Sequence, residues 1–319
     1  MLRSILIYLS TAKWMRRVVV SWKLARNVAL RFVAGEKLEE AIQICKELNH
    51  KGMNVTLDQL GEDTNTPDEA RQTAQEIMGV LDAVKAAGVR SNISMKLNQI
   101  GLRLDEELCA ENLEKILVHA KKYNIFVRID MEDSPYTSAT IELYYRMKQK
   151  GYDNVGMVIQ SYLYRSEDDT KKLLGDGTRI RMVKGAYKES PEVAFPKKHQ
   201  VDHAFDVLTR LMLDASHASS APAVSADGIW PPIPAVASHD EVRILNAKNY
   251  AEKIGLPKDK LEFQMLFGIR RELQEQLVAE GYPVRIYVPF GTQWYPYFMR
   301  RLAERPANLW FFISSLVRR

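Results

Sequence analysis

Near its end the chain reads YFMRRLAER, Tyr297 to Arg305, two arginines side by side behind a tyrosine and ahead of a glutamate. Paired guanidinium groups recognise planar anions through bidentate hydrogen bonds that a lysine cannot reproduce. On a solvated helix face the same pair would do nothing, so its meaning depends on which other polar groups converge on it. Two lysines, Lys96 and Lys184, stand at the ends of strand-like runs and offer a second chemistry, the Schiff base of an aldolase. His199 and His203 have i, i+4 spacing but lack the glutamate of H-E-x-x-H, so they read as a solvated helix face and no metal is expected.

The elements that would position these groups alternate. Eight short runs have strand character: MNVTLDQL from Met53, NISMKL from Asn92, FVRIDME from Phe126, VGMVIQS from Val155, RIRMVKG from Arg179, PAVASHD from Pro234, LEFQMLFG from Leu261 and VRIYVPFG from Val284. Helical segments lie between them, such as PDEARQTAQEIMGVLDAVKAAG, with acids in its first turn and glycine past its end. Eight alternations point to an α/β fold, a (β/α)8 TIM-like barrel, with a doubly wound sheet as the competitor. Residues 1–50 are expected to form a basic helical arm and 51–319 the catalytic barrel.

Parity within the runs separates two faces, because successive strand side chains point opposite ways. Ile93, Met95 and Leu97 oppose Ser94 and Lys96; Val127, Ile129 and Met131 oppose Arg128 and Asp130; Val284, Ile286 and Val288 oppose Arg285 and Tyr287. If the apolar face packs on helices, the interior carries Lys96, Asp130, Gln160, Arg181, His239, Gln264 and Tyr287 near the strand ends, where sites of this fold lie. By the same parity Lys184 points away from the interior. The pocket is polar with a positive excess and suits an anion.

Composition narrows the class. The chain has 319 residues and a formal charge of +5, but residues 1–35 carry seven bases and no acid, leaving 38 bases against 40 acids in the rest, a balance of −2. A nucleic-acid binder would spread positive charge over a face, so none is expected. No Gly-rich dinucleotide fingerprint or Walker loop is present, and Cys45 and Cys109 lie in helical segments, which fits a reducing, cytoplasmic setting. The first segment has no signal-peptide cleavage pattern, and its bases interrupt it too often for a membrane span.

SMKLNQIGL, RIDMED, RIRMVKGAY, EFQMLFGIR, YVPFGTQWYPYFMRRLAERPAN and the Ser-His-Asp triplet at 238–240 resemble, in order, the strand-end motifs of the proline dehydrogenase family in its short monofunctional, bacterial form. The resemblance implies a distorted barrel holding FAD noncovalently, oxidation of L-proline to Δ1-pyrroline-5-carboxylate by hydride transfer to flavin N5, and electrons passed to quinone. It also gives the arginine pair a purpose. Arg300 and Arg301 would grip the proline carboxylate together with Lys96, with Glu304 behind them and Asp130 organising the cations. Tyr187, Leu266, Tyr287 and Tyr297 would enclose the ring. Met131, Gln160, Arg181, Val183, Lys184, Gly185, Ala186, Ser238 and His239 would hold the cofactor, with Arg181 beside flavin N5 and a glycine at 185 letting the backbone approach. Asp130 and Arg181 are the residues to which catalysis would be assigned.

Ser238 stands where the family often has threonine, Phe290 where it often has tyrosine, and the stretch from His217 to Ala235 is longer than usual. That stretch reads as a surface loop, and because it leads into Ser238 and His239 it is expected to bear on the cofactor's adenosine side. The basic first segment mixes Leu2, Ile5, Leu6 and Leu9 with arginines, a composition suited to peripheral contact with anionic lipid on the inner membrane, while Val28 to Val33 would dock on the barrel. A lysine-dependent aldolase and a purely binding barrel are the alternatives.

Overall fold

A computed structural model describes residues 30–61, 63–218 and 222–304, at Ala218 and 300–304 as backbone only. Eight parallel strands close on themselves in the order β1 to β8: Asn54–Gln59, Ser91–Lys96, Val127–Asp130, Val155–Gln160, Ile180–Val183, Pro234–Ala237, Glu262–Leu266 and Val284–Phe290. Helix α1, Leu38–His50, precedes the barrel, and a helix follows each strand. These are α2 Pro67–Ala87, α3 Glu106–Lys122, α4 Thr137–Gln149, α5 Ser166–Gly175, α6 Lys198–Ala218, α7 Glu241–Lys253, α8 Arg271–Ala279 and α9 Trp294–Glu304. The (β/α)8 expectation holds, and the doubly wound sheet is set aside by the closure of β1 on β8, where Val55 lies beside Ile286.

Local signals account for the helix bounds. In α2 the Thr66 hydroxyl accepts from the Glu69 amide, Pro67 opens the first turn with Asp68 and Glu69, and Gly88 closes it in the left-handed region. The parity reading also holds. Ile93, Met95, Ile129, Ile286 and Val288 are buried in the layer between sheet and helices. Arg128, Arg181, Gln264 and Arg285 fill the interior of the barrel. Cys45 and Cys109 are unpaired and buried, and burial pushes the Cys45 thiol up to about 12.

The long connection into β6 is placed differently from the expectation. It joins a helix to the start of a strand, so it lies at the N-terminal ends of the strands, opposite the strand ends that carry Lys96 and Asp130. There it closes the barrel floor. Gly228 O accepts from Arg285 Nη2 at 2.7 Å, and Ile229 O from Asn92 Nδ2 at 3.0 Å. Trp230 donates to Asn124 O at 2.8 Å and lies under the Arg179 guanidinium, 5.1 Å from its ring centre. Gly228 has φ +69, and a Cβ there would fall 2.1 Å from Asn54 Oδ1, so another residue would strain the backbone and push Asn54 aside. Above it Arg285 pairs with Glu262 through two 2.9 Å bonds, both side chains at most 1 % exposed. Removing one partner of such a buried pair costs about 3–5 kcal/mol, which ties the floor firmly to the strands.

At the opposite end the chain before α1 is pinned to β8 and α9. Ala34 N donates to Pro289 O at 2.8 Å, Gly291 N to Gly35 O at 3.0 Å, and Phe32 packs on Phe298. Phe32 and Val33 are thus docked as expected of the 28–33 stretch, whereas Val28 and the rest of 1–29 lie outside the described residues. No helix among the described residues is long and apolar enough to cross a membrane.

Candidate active site

The end of β2 and the end of β3 are in register, Lys96 beside Asp130, and this pair begins the site. The Lys96 ammonium lies 3.2 and 3.3 Å from the two Asp58 oxygens and 3.7 Å from Asp130 Oδ2. Asp130 also accepts from Ser94 Oγ at 2.6 Å, Arg181 Nη1 at 2.8 Å and the Tyr287 hydroxyl at 2.8 Å. Arg181 donates further to Ser94 Oγ at 3.1 Å and through Nε to Gln264, and its guanidinium stacks 5.2 Å from the Tyr287 ring centre. Gln264 then donates to Glu262 at 2.6 Å, so one hydrogen-bonded column joins the mouth to the floor.

Burial and charge set the protonation states. Burial pulls the Lys96 ammonium down, but Asp58 and Asp130 outweigh it and hold the group above its ordinary range. Burial raises Asp130 too, yet Arg181 and Lys96 bring it below the usual carboxylate value. Asp58 goes the other way, because its burial exceeds what Lys96 returns. Burial and the neighbouring Asp130 and Asp58 carboxylates push the Tyr287 phenol well above its ordinary value, keeping it a donor. A lysine held charged by two carboxylates is a poor Schiff-base nucleophile. Lys184 is no better, since it turns outward to Asp202 and, at 2.7 Å, Asp240.

The remaining expected residues fall into two groups. Tyr187 lies close enough to Lys96 to add to the field on its ammonium. Leu266 is in register with Tyr287, and Tyr297 is buried on α9. The α9 backbone carries Arg300, Arg301 and Glu304, but their side chains lie outside the described residues. On the other side, Gln160 Nε2 donates to Glu132 O at 2.7 Å, Met131 is buried, Ser161 N holds Val183 O at 2.8 Å, and Ala186 is exposed. His239 Nε2 accepts from Leu266 N at 2.9 Å, and Ser238 Oγ from Asp240 N at 3.1 Å. Gly185 has φ +114, but the Tyr162 ring fills the space of its missing side chain: a Cβ at 185 would fall 2.4 Å from that ring. The protein's own packing therefore requires a glycine here, apart from any approach of a cofactor.

Three groups of the site go beyond the sequence reading. Asp58 is within reach of it, because parity in NVTLDQ puts Thr56 and Asp58 on the inward face. Ser94 is inward by parity, but nothing in its own strand gives it a role. Glu132 follows the strand, where parity no longer applies; it is 6 % exposed, accepts from Asn98 N at 3.0 Å, and burial pushes it from 4.5 up to about 7.

The donor set suits a group carrying both phosphates and a polar ring system. Arg181 is a buried cation fixed by Asp130 and Gln264, while Gln160 and the Ser238-His239 turn stand at neighbouring strand ends. The sequence pattern of the proline dehydrogenase family matches residues 41–313. Proline dehydrogenase 1 of Bacillus subtilis (strain 168) is 40% identical over 319 residues, all of both chains. Proline dehydrogenase of Deinococcus radiodurans is 40% identical over 296 residues, 92% of this chain and 91% of its own. Among solved structures, proline utilization A from Bdellovibrio bacteriovorus inactivated by N-propargylglycine superposes with a TM-score of 0.78 at 26% identity, over 88% of this chain. This chain spans about a third, 33%, of that longer protein.

The Glu132 carboxyl gives a pH test. Its folded pKa is raised, so between 4.5 and about 7 the unfolded chain has lost a proton that the folded one keeps. Stability should fall as pH rises through that window and then level. In Glu132→Gln the amide oxygen can still accept from Asn98, and melting temperature against pH should lose that slope; an unchanged slope would assign it elsewhere.

Proposed function

The chain belongs to the proline dehydrogenase family, and from that premise we propose that it binds FAD noncovalently and oxidises L-proline to Δ1-pyrroline-5-carboxylate, passing the electrons to quinone. The observation that carries this reading is the cluster of Lys96, Asp58, Asp130, Arg181 and Tyr287 at the C-terminal end of the barrel, a fixed set of cations for a small anionic substrate. Gln160, Arg181, Ser238 and His239, with the backbone of 183–186 and Met131, would hold FAD. Bound there, FAD would supply the two-electron acceptor for a hydride leaving the ring carbon that lies across the nitrogen from the carboxylated one.

The chain's own groups do the rest. Lys96 is kept charged by two acids, so it can meet the substrate carboxylate without losing its proton. Arg300 and Arg301 lie on α9, whose first turns are anchored by buried Trp294, Tyr295 and Phe298, and in this reading they would meet the same carboxylate. Cations on several sides disfavour the ammonium form of the substrate's ring nitrogen, and the free amine is the form that can release hydride. Held at its carboxylate and enclosed by Tyr187, Leu266, Tyr287 and Tyr297, the ring keeps one orientation, which is where most of the protein's contribution lies.

Purified protein should show a flavin spectrum that L-proline bleaches without oxygen. A colourless protein that stays inactive when FAD is supplied would overturn the reading. Arg300→Met or Arg301→Met should weaken proline binding by about 2–5 kcal/mol, roughly 30-fold or more in KM, while flavin content persists. Normal proline affinity in both variants would remove the clamp from α9.

Reaching quinone requires contact with a membrane, and residues 1–12 of an otherwise cytoplasmic enzyme are the proposed peripheral contact. Deleting them should reduce co-sedimentation with anionic vesicles, most at low salt, and leave turnover with a soluble dye acceptor intact. Unchanged vesicle binding would assign the segment to the barrel instead.

A further inference from the structure

Arg270 adopts a left-handed backbone, φ 54 and ψ 51, at the residue that opens α8. Among the described residues the only other non-glycine with positive φ is Asn124, a residue type that tolerates this region far better than arginine. A strained arginine needs a reason. Its pairing with Glu241 is not one, because Arg270 and Glu241 are exposed and such pairs return little stability.

What the side chain reaches is the turn between β6 and α7. Arg270 Nη1 donates to His239 O at 3.1 Å, a tie to that turn from the loop between β7 and α8. Other parts of the turn are fixed by other groups. The His239 ring accepts from Leu266 N at 2.9 Å, Ser238 Oγ from Asp240 N at 3.1 Å, and Asp240 both caps α7 at Val242 N, 3.1 Å, and pairs with Lys184. The loop that carries Arg270 is held independently of it. Buried Gln274 donates to Leu266 O and Ile269 O at 3.1 and 2.8 Å, and Gly268 is pressed against Arg31 O.

We propose that Arg270 is a positioning residue for the cofactor: from the β7–α8 loop it fixes the peptide of His239, and with it the FAD that the Ser238-His239 turn holds. This rests on the flavoenzyme reading above. The arginine brings geometry at some expense in backbone strain, the pattern expected where a strained residue serves a ligand site.

Arg270→Gly separates the two roles, since glycine relieves the left-handed backbone and removes only the side chain. Apoprotein titrated with FAD and followed by flavin fluorescence should bind about tenfold more weakly in the variant, the loss of one charge-assisted hydrogen bond. The melting temperature of the apoprotein should be unchanged or higher. Wild-type FAD affinity in Arg270→Gly overturns this proposal alone, as does a loss of affinity that comes with a lower apoprotein melting temperature. If the glycine variant fails to fold, Arg270→Lys, which keeps the charge and loses the fork, reads the same tie and should bind FAD more weakly at unchanged melting temperature; wild-type affinity in Arg270→Lys overturns the proposal. A wild-type protein that takes up no FAD overturns the flavoenzyme reading as well.

Discussion

Cations inside a barrel are costly unless acids are buried with them, and Asp130 meets that constraint for two at once. It faces Lys96 at 3.7 Å and Arg181 at 2.8 Å, with Ser94 and Tyr287 filling its other acceptor directions. Its carboxylate is stabilised by the cations it stabilises, so none of the three can be exchanged alone. Asp58 relieves part of the load by taking both of its oxygens to Lys96, which leaves Asp130 oriented toward Arg181. The mouth of the barrel is therefore preorganised before any ligand arrives.

Gln264 carries that order downward. Its carbonyl accepts from Arg181 and its amide nitrogen donates to Glu262, so one side chain serves as acceptor to the cation and donor to the acid. Glu262 in turn locks Arg285, and Arg285 grips the floor loop at Gly228 O. The loop into β6, which by sequence resembles an appendage of the cofactor site, is thus the lower end of the same column. Its length follows from the work of covering an axis filled with charge, which a short turn of small residues could not do while also seating Trp230.

Much of this is legible in sequence because strand parity is a rigid rule. The inward set Lys96, Asp130, Arg181, Gln264 and Tyr287 comes from alternation alone, and the structure brings these residues into one network. Legibility ends where the strands do. Glu132 lies two residues past Asp130 in a loop, and nothing periodic says that it turns inward. Lys184 illustrates the converse: parity sends it outward, and its partners Asp202 and Asp240 come from two other segments that no local pattern could place beside it. At Gly185 the ring of Tyr162 is packed against the backbone by tertiary structure, a neighbour that no local pattern announces. The arginine pair on α9 owes its meaning to family resemblance, because Arg-Arg-x-x-Glu by itself is an ordinary solvated helix.

On the inward strand faces Lys96, Arg128, Arg181 and Arg285 stand against Asp58, Asp130 and Glu262, with the buried Glu132 just past β3. Arg128 donates to the Met157 and Arg179 carbonyls and has no carboxylate at salt-bridge distance among the described residues. Burial, and then the repulsion of Arg181, holds its pKa well below the ordinary value, a measure of how unfavourable that position is for charge. In a low-dielectric interior such a field acts over several ångströms and is little screened. Under the proposed function such a field would repel a cationic amine and draw a carboxylate toward Lys96, so an amino acid entering there would be favoured in the form that has given up its ring-nitrogen proton.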